Sequence, residues 1–124
     1  MSGEVSKSQT GLDNWKEQLR RGGLELAILL VLAPERRYGL EILRYLEEFT
    51  DLVVTEGTIY PIFARLTKDG LIAAEWVTGE GPHPRKYYRL TDQGSLQLDL
   101  MLKHWDAFGE KITRLARAAG RIRE

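Results

Sequence analysis

Cysteine is absent from this chain, which excludes disulfides and thiolate-held metals and leaves the redox compartment open. Histidine is nearly absent. His83 and His104 lie far apart in different kinds of segment, so no metal site is expected. Long hydrophobic runs are missing as well: the longest, Leu24 to Ala33, is interrupted by Glu25 and falls far short of the roughly 20 apolar residues of a membrane span. The opening MSGEVSKSQTG has no apolar core of the signal-peptide kind, so a cytoplasmic protein is expected. An excess of charge of either sign is the last absence, since 18 basic and 18 acidic residues cancel. Dedicated nucleic-acid binders are usually basic, and the balance weighs mildly against one. Distribution matters more than the sum. Arg36 to Glu56 leans acidic, whereas Pro82 to Leu90 carries Arg85, Lys86 and Arg89 with no acid, and the chain is basic again from Lys111. Local patches can serve phosphates while the whole molecule stays neutral.

What is present amounts to one modest core. The chain has 124 residues, 43% of them hydrophobic and 29% charged, which is enough for a single globular domain. Residues 1–11 are small and polar and are expected to form a disordered tail. Asp13 is a candidate cap for a helix over Asn14 to Arg21, with Leu12, Trp15 and Leu19 on one face. Gly22-Gly23 either interrupts that helix or permits close packing. LELAILLVLA then reads as a helix buried on most sides, ended by Pro34, with Arg36-Arg37 in a short turn. YGLEILRYLEEFT is the next helix, its stripe formed by Tyr38, Ile42, Leu46 and Phe49 and its outward face by Glu41, Arg44, Glu47 and Glu48. Tyr38 is either a core residue or a hydroxyl turned to a phosphate.

The stretch Thr55 to Leu90 organises the rest. A third helix starts between Thr55 and Thr58: a cap at Thr55 puts Pro61 well inside the helix, whereas a cap at Thr58 puts it in the first turn, where its missing N–H is harmless. Ile62, Phe63 and Leu66 supply the buried face, Arg65 and Lys68 lie on the outer one, and Gly70 is the left-handed stop. LIAAEWV and RKYYRL read as two wing strands joined by TGEGPHP. In the second strand Lys86, Tyr88 and Leu90 alternate with Arg85, Tyr87 and Arg89, so part of this cationic set must be solvated. Thr91 caps a last helix of roughly 28 residues, about 40 Å long. Its apolar positions Leu98, Met101, Trp105, Phe108, Ile112, Leu115, Ala119 and Ile122 step by threes and fours as a heptad seam. A domain this small cannot bury that seam, so a second copy is expected. The architecture expected is therefore mainly α with a small two-stranded β wing. Residues 12–91 form a winged helix-turn-helix and residues 92–124 a long C-terminal dimerisation helix.

Helix, strand, loop, cationic strand is the order of a DNA-reading unit. A helix N-terminus offers free N–H groups and partial positive charge to phosphate. Gly57 lets the backbone approach, Thr55 and Thr58 can donate to phosphate oxygens, and Arg65 can reach a base edge. Glu56 opposes phosphate, and could instead cap the helix or accept from a cytosine amine. Solvated surface charge is the plain alternative for Arg65 and Lys68. Taken together, GGLELAILLVL, YGLEILRYLEE, TEGTIYPIFARLTKDGLI and PRKYYRLTDQG resemble the PadR family of bacterial transcriptional regulators over about residues 20–95, with a size like that of its shorter subclass. The resemblance implies a homodimer and a repressor acting through an inverted-repeat operator. It marks Thr55, Glu56, Gly57, Thr58, Tyr60, Pro61 and Arg65 as the recognition element and Arg85-Lys86 as the wing's phosphate or minor-groove contact. Gly23 stands where the family often has threonine, and the wing loop carries GPHP. Tyr38, Lys68 and His83 complete the candidate DNA-binding set.

Leu98, Met101, Trp105, Phe108, Ile112 and Leu115 form the candidate dimer interface. Trp15, Trp105 and Phe108 are either plain core or the walls of a pocket for a flat aromatic effector, a class some family members take. The competing reading is a winged-helix module that binds protein without DNA, which strongly salt-dependent duplex binding would separate. An enzyme is not expected, because no nucleophile–base pair, phosphate-cradling glycine loop or carboxylate–histidine cluster is present. No cofactor is expected either.

Overall fold

The computed structural model describes residues 3–50, 54–79 and 81–122. Their elements run α1 (Gly3–Leu32), β1 (Arg37–Tyr38), α2 (Gly39–Thr50), α3 (Glu56–Lys68), β2 (Ile72–Val77), β3 (Arg85–Leu90) and α4 (Asp92–Ala118). The first helix begins far earlier than expected. The segment read as a tail is helical from Gly3, and Asp13 caps nothing: its carboxylate accepts from Gln9 one turn back at 3.1 Å. A second pair one turn apart, Glu17 with Arg21 at 3.5 Å, also lies along the exposed face. Gly22-Gly23 does not break the helix. Gly23 instead lets Trp105 of α4 lie close, where an added Cβ would sit 3.8 Å from the indole.

Arg37, expected in a turn, and Tyr38, expected to open the next helix, lie in neither. They are a third strand, pairing antiparallel with β3 in the register Arg37↔Tyr88 and Tyr38↔Tyr87, so the sheet order is β1-β3-β2. The two wing strands pair as expected, from Ile72↔Leu90 to Val77↔Arg85. The wing is thus tied along its inner edge to the start of α2.

One cluster forms the core: Leu24, Ile28, Leu29 and Leu32 of α1, Ile42, Leu43 and Leu46 of α2, Ile59, Phe63 and Leu66 of α3, with Ile72, Tyr88 and Leu98. Phe63 and Tyr88 meet at 4.5 Å between ring centroids. Phe49 is not part of it. The buried face of α2 is centred on Ile42, Leu43 and Leu46, which leaves Phe49 at the rim, 71% exposed and stacked on Tyr45.

Two junctions position α3 and α4. Thr55 is the N-cap of α3, which settles the open start and makes Pro61 an interior residue. At the other end Gly70 takes φ +78°, a left-handed conformation that costs a residue without Cβ little, and Leu71 N–H donates to the Leu66 carbonyl at 3.0 Å. Thr91 then joins that turn to α4. Its hydroxyl accepts from Gly94 N–H at 2.9 Å and lies 2.7 and 3.0 Å from the carbonyls of Gly70 and Leu71. Gly94 has to be glycine for this approach, because a Cβ there would stand 1.9 Å from the Leu71 carbonyl oxygen. α4 ends at Ala118, with Gly120 in the same left-handed role, so Ile122 lies beyond the helical seam.

Candidate nucleic-acid interface

An open cleft of about 510 Å³ lies between the start of α2, one flank of α3 and the wing. It gathers four of the candidates, Tyr38, Tyr60, Arg85 and Lys86, and adds Arg44 and Trp76, which the sequence had not singled out. Among its lining residues are three cations and no acid. A molecule without net charge therefore carries a locally positive surface.

Aromatic faces lie beside two of these cations, Arg85 and Lys86. The Arg85 guanidinium stands 4.6 Å from the Tyr38 ring centroid, and the Lys86 ammonium 5.9 Å from Trp76 and 5.8 Å from Tyr88. Trp76 reaches Lys86 because the two are cross-strand partners on β2 and β3. Tyr38 in turn rests edge-on against Tyr87 at 5.6 Å. Burial, and secondarily the neighbouring Tyr60, raise the Tyr88 phenol above its ordinary pKa, so it remains a neutral hydroxyl under the cleft.

The α2 N-terminus is built into the same surface. Glu41, read as outward, reaches back to accept from the Tyr38 N–H at 3.1 Å, as one half of a capping box. Tyr60 lies across Gly39, where any Cβ would come within 2.5 Å of its hydroxyl. Tyr60 also meets Phe63 edge-on at 5.5 Å, which fixes the ring from below.

The remaining candidates divide. Thr55, Glu56, Gly57, Thr58, Pro61 and Lys68 are exposed along α3, and the Thr55 and Thr58 hydroxyls lie 3.1 Å apart. His83 is exposed in the wing loop and lies outside the cleft lining. Arg65 has a partner that the sequence did not suggest. Its guanidinium is ion-paired with Glu25 of α1 while the side chain stays 55% exposed, because position 65 falls on the flank of α3 nearest that helix. Arg44 was legible only as one more outward charge on α2. Nothing in its spacing marked it, since the fold alone brings α2 beside the wing.

A second exposed surface belongs to α4. Leu98 is only 5% exposed and is a core residue, not an interface one, and Met101 packs against the same core. Their turn of α4 lies on the domain itself. Beyond it Trp105, Phe108, Ile112 and Leu115 are exposed, Phe108 and Leu115 each by 66%. A groove of about 500 Å³ runs between Gly22 and Leu26 of α1 and Met101, Trp105 and Phe108 of α4. Trp15 is not among its walls; with Leu12 and Leu19 it is exposed along α1.

Comparison with known proteins decides the family. Residues 28–100 match the model of the transcriptional regulator PadR-like family. The chain belongs to that family. A PadR-like transcription factor of Bacteroides fragilis is 40% identical, with 83% of this chain and 99% of that one covered and a TM-score of 0.70. A PadR family transcriptional regulator of Eggerthella lenta is 32% identical, covering 89% and 96% of the two chains, with a TM-score of 0.77. An uncharacterized protein of Lysinibacillus sphaericus is 33% identical over 99 residues, 78% of this chain and 91% of its own length. This PadR-like protein is accordingly a DNA-binding transcriptional regulator with a winged-helix fold, in a family of regulators and not of enzymes. Among its described residues no helix is long and apolar enough to cross a membrane, and no group of three or more acidic or histidine side chains could hold a metal.

Proposed function

We propose that this PadR-like protein is a cytoplasmic repressor that binds an inverted-repeat operator as a homodimer. Each copy presents the exposed N-terminal half of α3 to a major groove. The Tyr38–Tyr60–Arg85–Lys86 cleft, with Arg44, takes the neighbouring phosphates, and His83 at the wing tip and Lys68 extend the contact. The observation that carries this reading is the pairing of an acid-free cationic cleft on one side with an exposed apolar ridge on α4, from Trp105 to Leu115. The first suits a polyanion and the second a copy of itself. Two copies related by a twofold axis read two half-sites, whose centres lie about 10 base pairs apart or a multiple of that.

Selection from random DNA tests the reading directly. A twofold-related motif is expected, bound with strong salt dependence. Binding that ignores salt, or selection that yields no repeat, would overturn it. The groove beside Trp105 supports an effector site for a planar aromatic compound. Such compounds should quench tryptophan emission saturably, and Trp105→Ala should abolish the quench while Trp15 and Trp76 still emit.

A further inference from the structure

The helix α3 is held on three sides, and only its outermost face is bare. Ile59, Phe63 and Leu66 are buried in the core. On one flank Tyr60 is seated over Gly39. On the other, Arg65 is ion-paired with Glu25. At 3.6 residues per turn the outermost face falls to Gly57, Pro61, Ala64 and Lys68, all exposed. The first three carry little side chain. A helix with so slight a leading face can lie close to a groove floor, and what it displays there depends on its roll about its own axis.

Both ends of the Glu25–Arg65 pair stand on fixed backbone. Glu25 lies between Leu24 and Leu26, both buried. Arg65 precedes the buried Leu66, and its own carbonyl accepts from Asp69 N–H at 2.9 Å. The pair therefore joins two rigid helices. The same turn of α1 carries Gly22 and Leu26, which wall the α4 groove, so α3 and α4 are both referred to one helix.

We infer that Glu25 and Arg65 are positioning residues: their ion pair fixes the roll of α3 against α1, and with it the register in which α3 meets a base sequence, while Arg65 itself reads no base. This rests on α3 being the DNA-reading helix, as proposed above. Both side chains are partly exposed, at 55% for Arg65 and 36% for Glu25. Such a pair adds little to stability. Its loss alters what α3 displays more than whether the domain folds.

The test is a double-mutant cycle of E25Q, R65Q and E25Q/R65Q. Binding is measured on the duplex that the parent protein selects from random DNA and on a mixed-sequence duplex of equal length, with thermal midpoints recorded alongside. Each single variant should lower the selected-to-mixed affinity ratio by about three- to five-fold, because a rolled α3 meets the selected bases out of register. The double variant should lower it no further. Mixed-duplex binding, its salt slope and the thermal midpoints should stay as in the parent. Tighter binding of the selected duplex by E25Q would show Arg65 released onto DNA and overturn the inference. A flatter salt slope for R65Q on both duplexes would place Arg65 on a phosphate and overturn it too. Loss in R65Q with none in E25Q would make Arg65 a base reader, and an unchanged ratio throughout would remove any positioning role. A parent that cannot tell the two duplexes apart would instead defeat the proposed function.

Discussion

The two exposed aromatic regions of this protein are built differently. In the cleft beside α3 the rings carry cations: Tyr38 under Arg85, Trp76 and Tyr88 beside Lys86. On α4, Trp105, Phe108, Ile112 and Leu115 form an apolar ridge whose neighbours in the groove are mainly Gly22, Leu26, Leu100 and Met101. Exposure alone does not separate these regions, since Trp76 is as open as Phe108. Their surroundings do. A ring bearing a cation remains hydrated at its charged edge and suits a polyanion, whereas a bare apolar stripe gains only when another apolar surface covers it.

The comparison breaks most sharply at the ridge. Trp105→Asp with Ile112→Asp should place two charges in the proposed dimer interface, at a cost of several kcal/mol, and leave a monomer. Sedimentation equilibrium checks this, and a persisting dimer would move the interface elsewhere. A smaller loss is expected where the two regions are joined. Gly94→Ala drives a methyl against the Leu71 carbonyl, so the thermal midpoint should fall by the equivalent of about 1–3 kcal/mol. An unchanged midpoint would mean that α4 can lift from the α3–β2 turn without penalty.

Within the cleft the effects should be on binding. Arg85→Ala with Lys86→Ala should weaken operator and random DNA together and reduce the salt slope by up to about one unit per lost phosphate contact. A loss confined to the operator would instead make the wing a sequence reader. The smallest effect concerns Tyr88. Its phenol holds its proton more tightly folded than unfolded, so its contribution to stability is fully present below a pH of about 10 and fades as pH rises through the folded value. Tyr88→Phe should flatten that alkaline loss, measured as the thermal midpoint against pH.

Much of this was legible because it depends on local rules. The stop at Gly70, the cap at Thr91 and the alternation of the wing strands follow from backbone conformation and period, which neighbouring residues carry within a few positions. Leu98 and Phe49 were misplaced for the opposite reason. Periodicity identifies an apolar stripe but not what covers it, so one stripe residue proved to be core and the other rim. The polar start of α1 was unreadable as helix because no apolar stripe marks it; the pairing there is polar, Gln9 with Asp13 one turn apart.

The sequence by itself determined the family, the order of helices and wing, and the presence of a cationic strand and an apolar ridge, since each is a property of residues close together in the chain. Only the tertiary structure decided which charges act together. Arg44 joins Arg85 and Lys86 because β1 draws the start of α2 against β3, over a separation no period can encode. Arg65 stands outside that cleft and pairs with Glu25, which α1 brings to its flank from forty positions away. A charge's role depends on the nearest opposite charge and the nearest ring, and those distances exist only once the chain has folded.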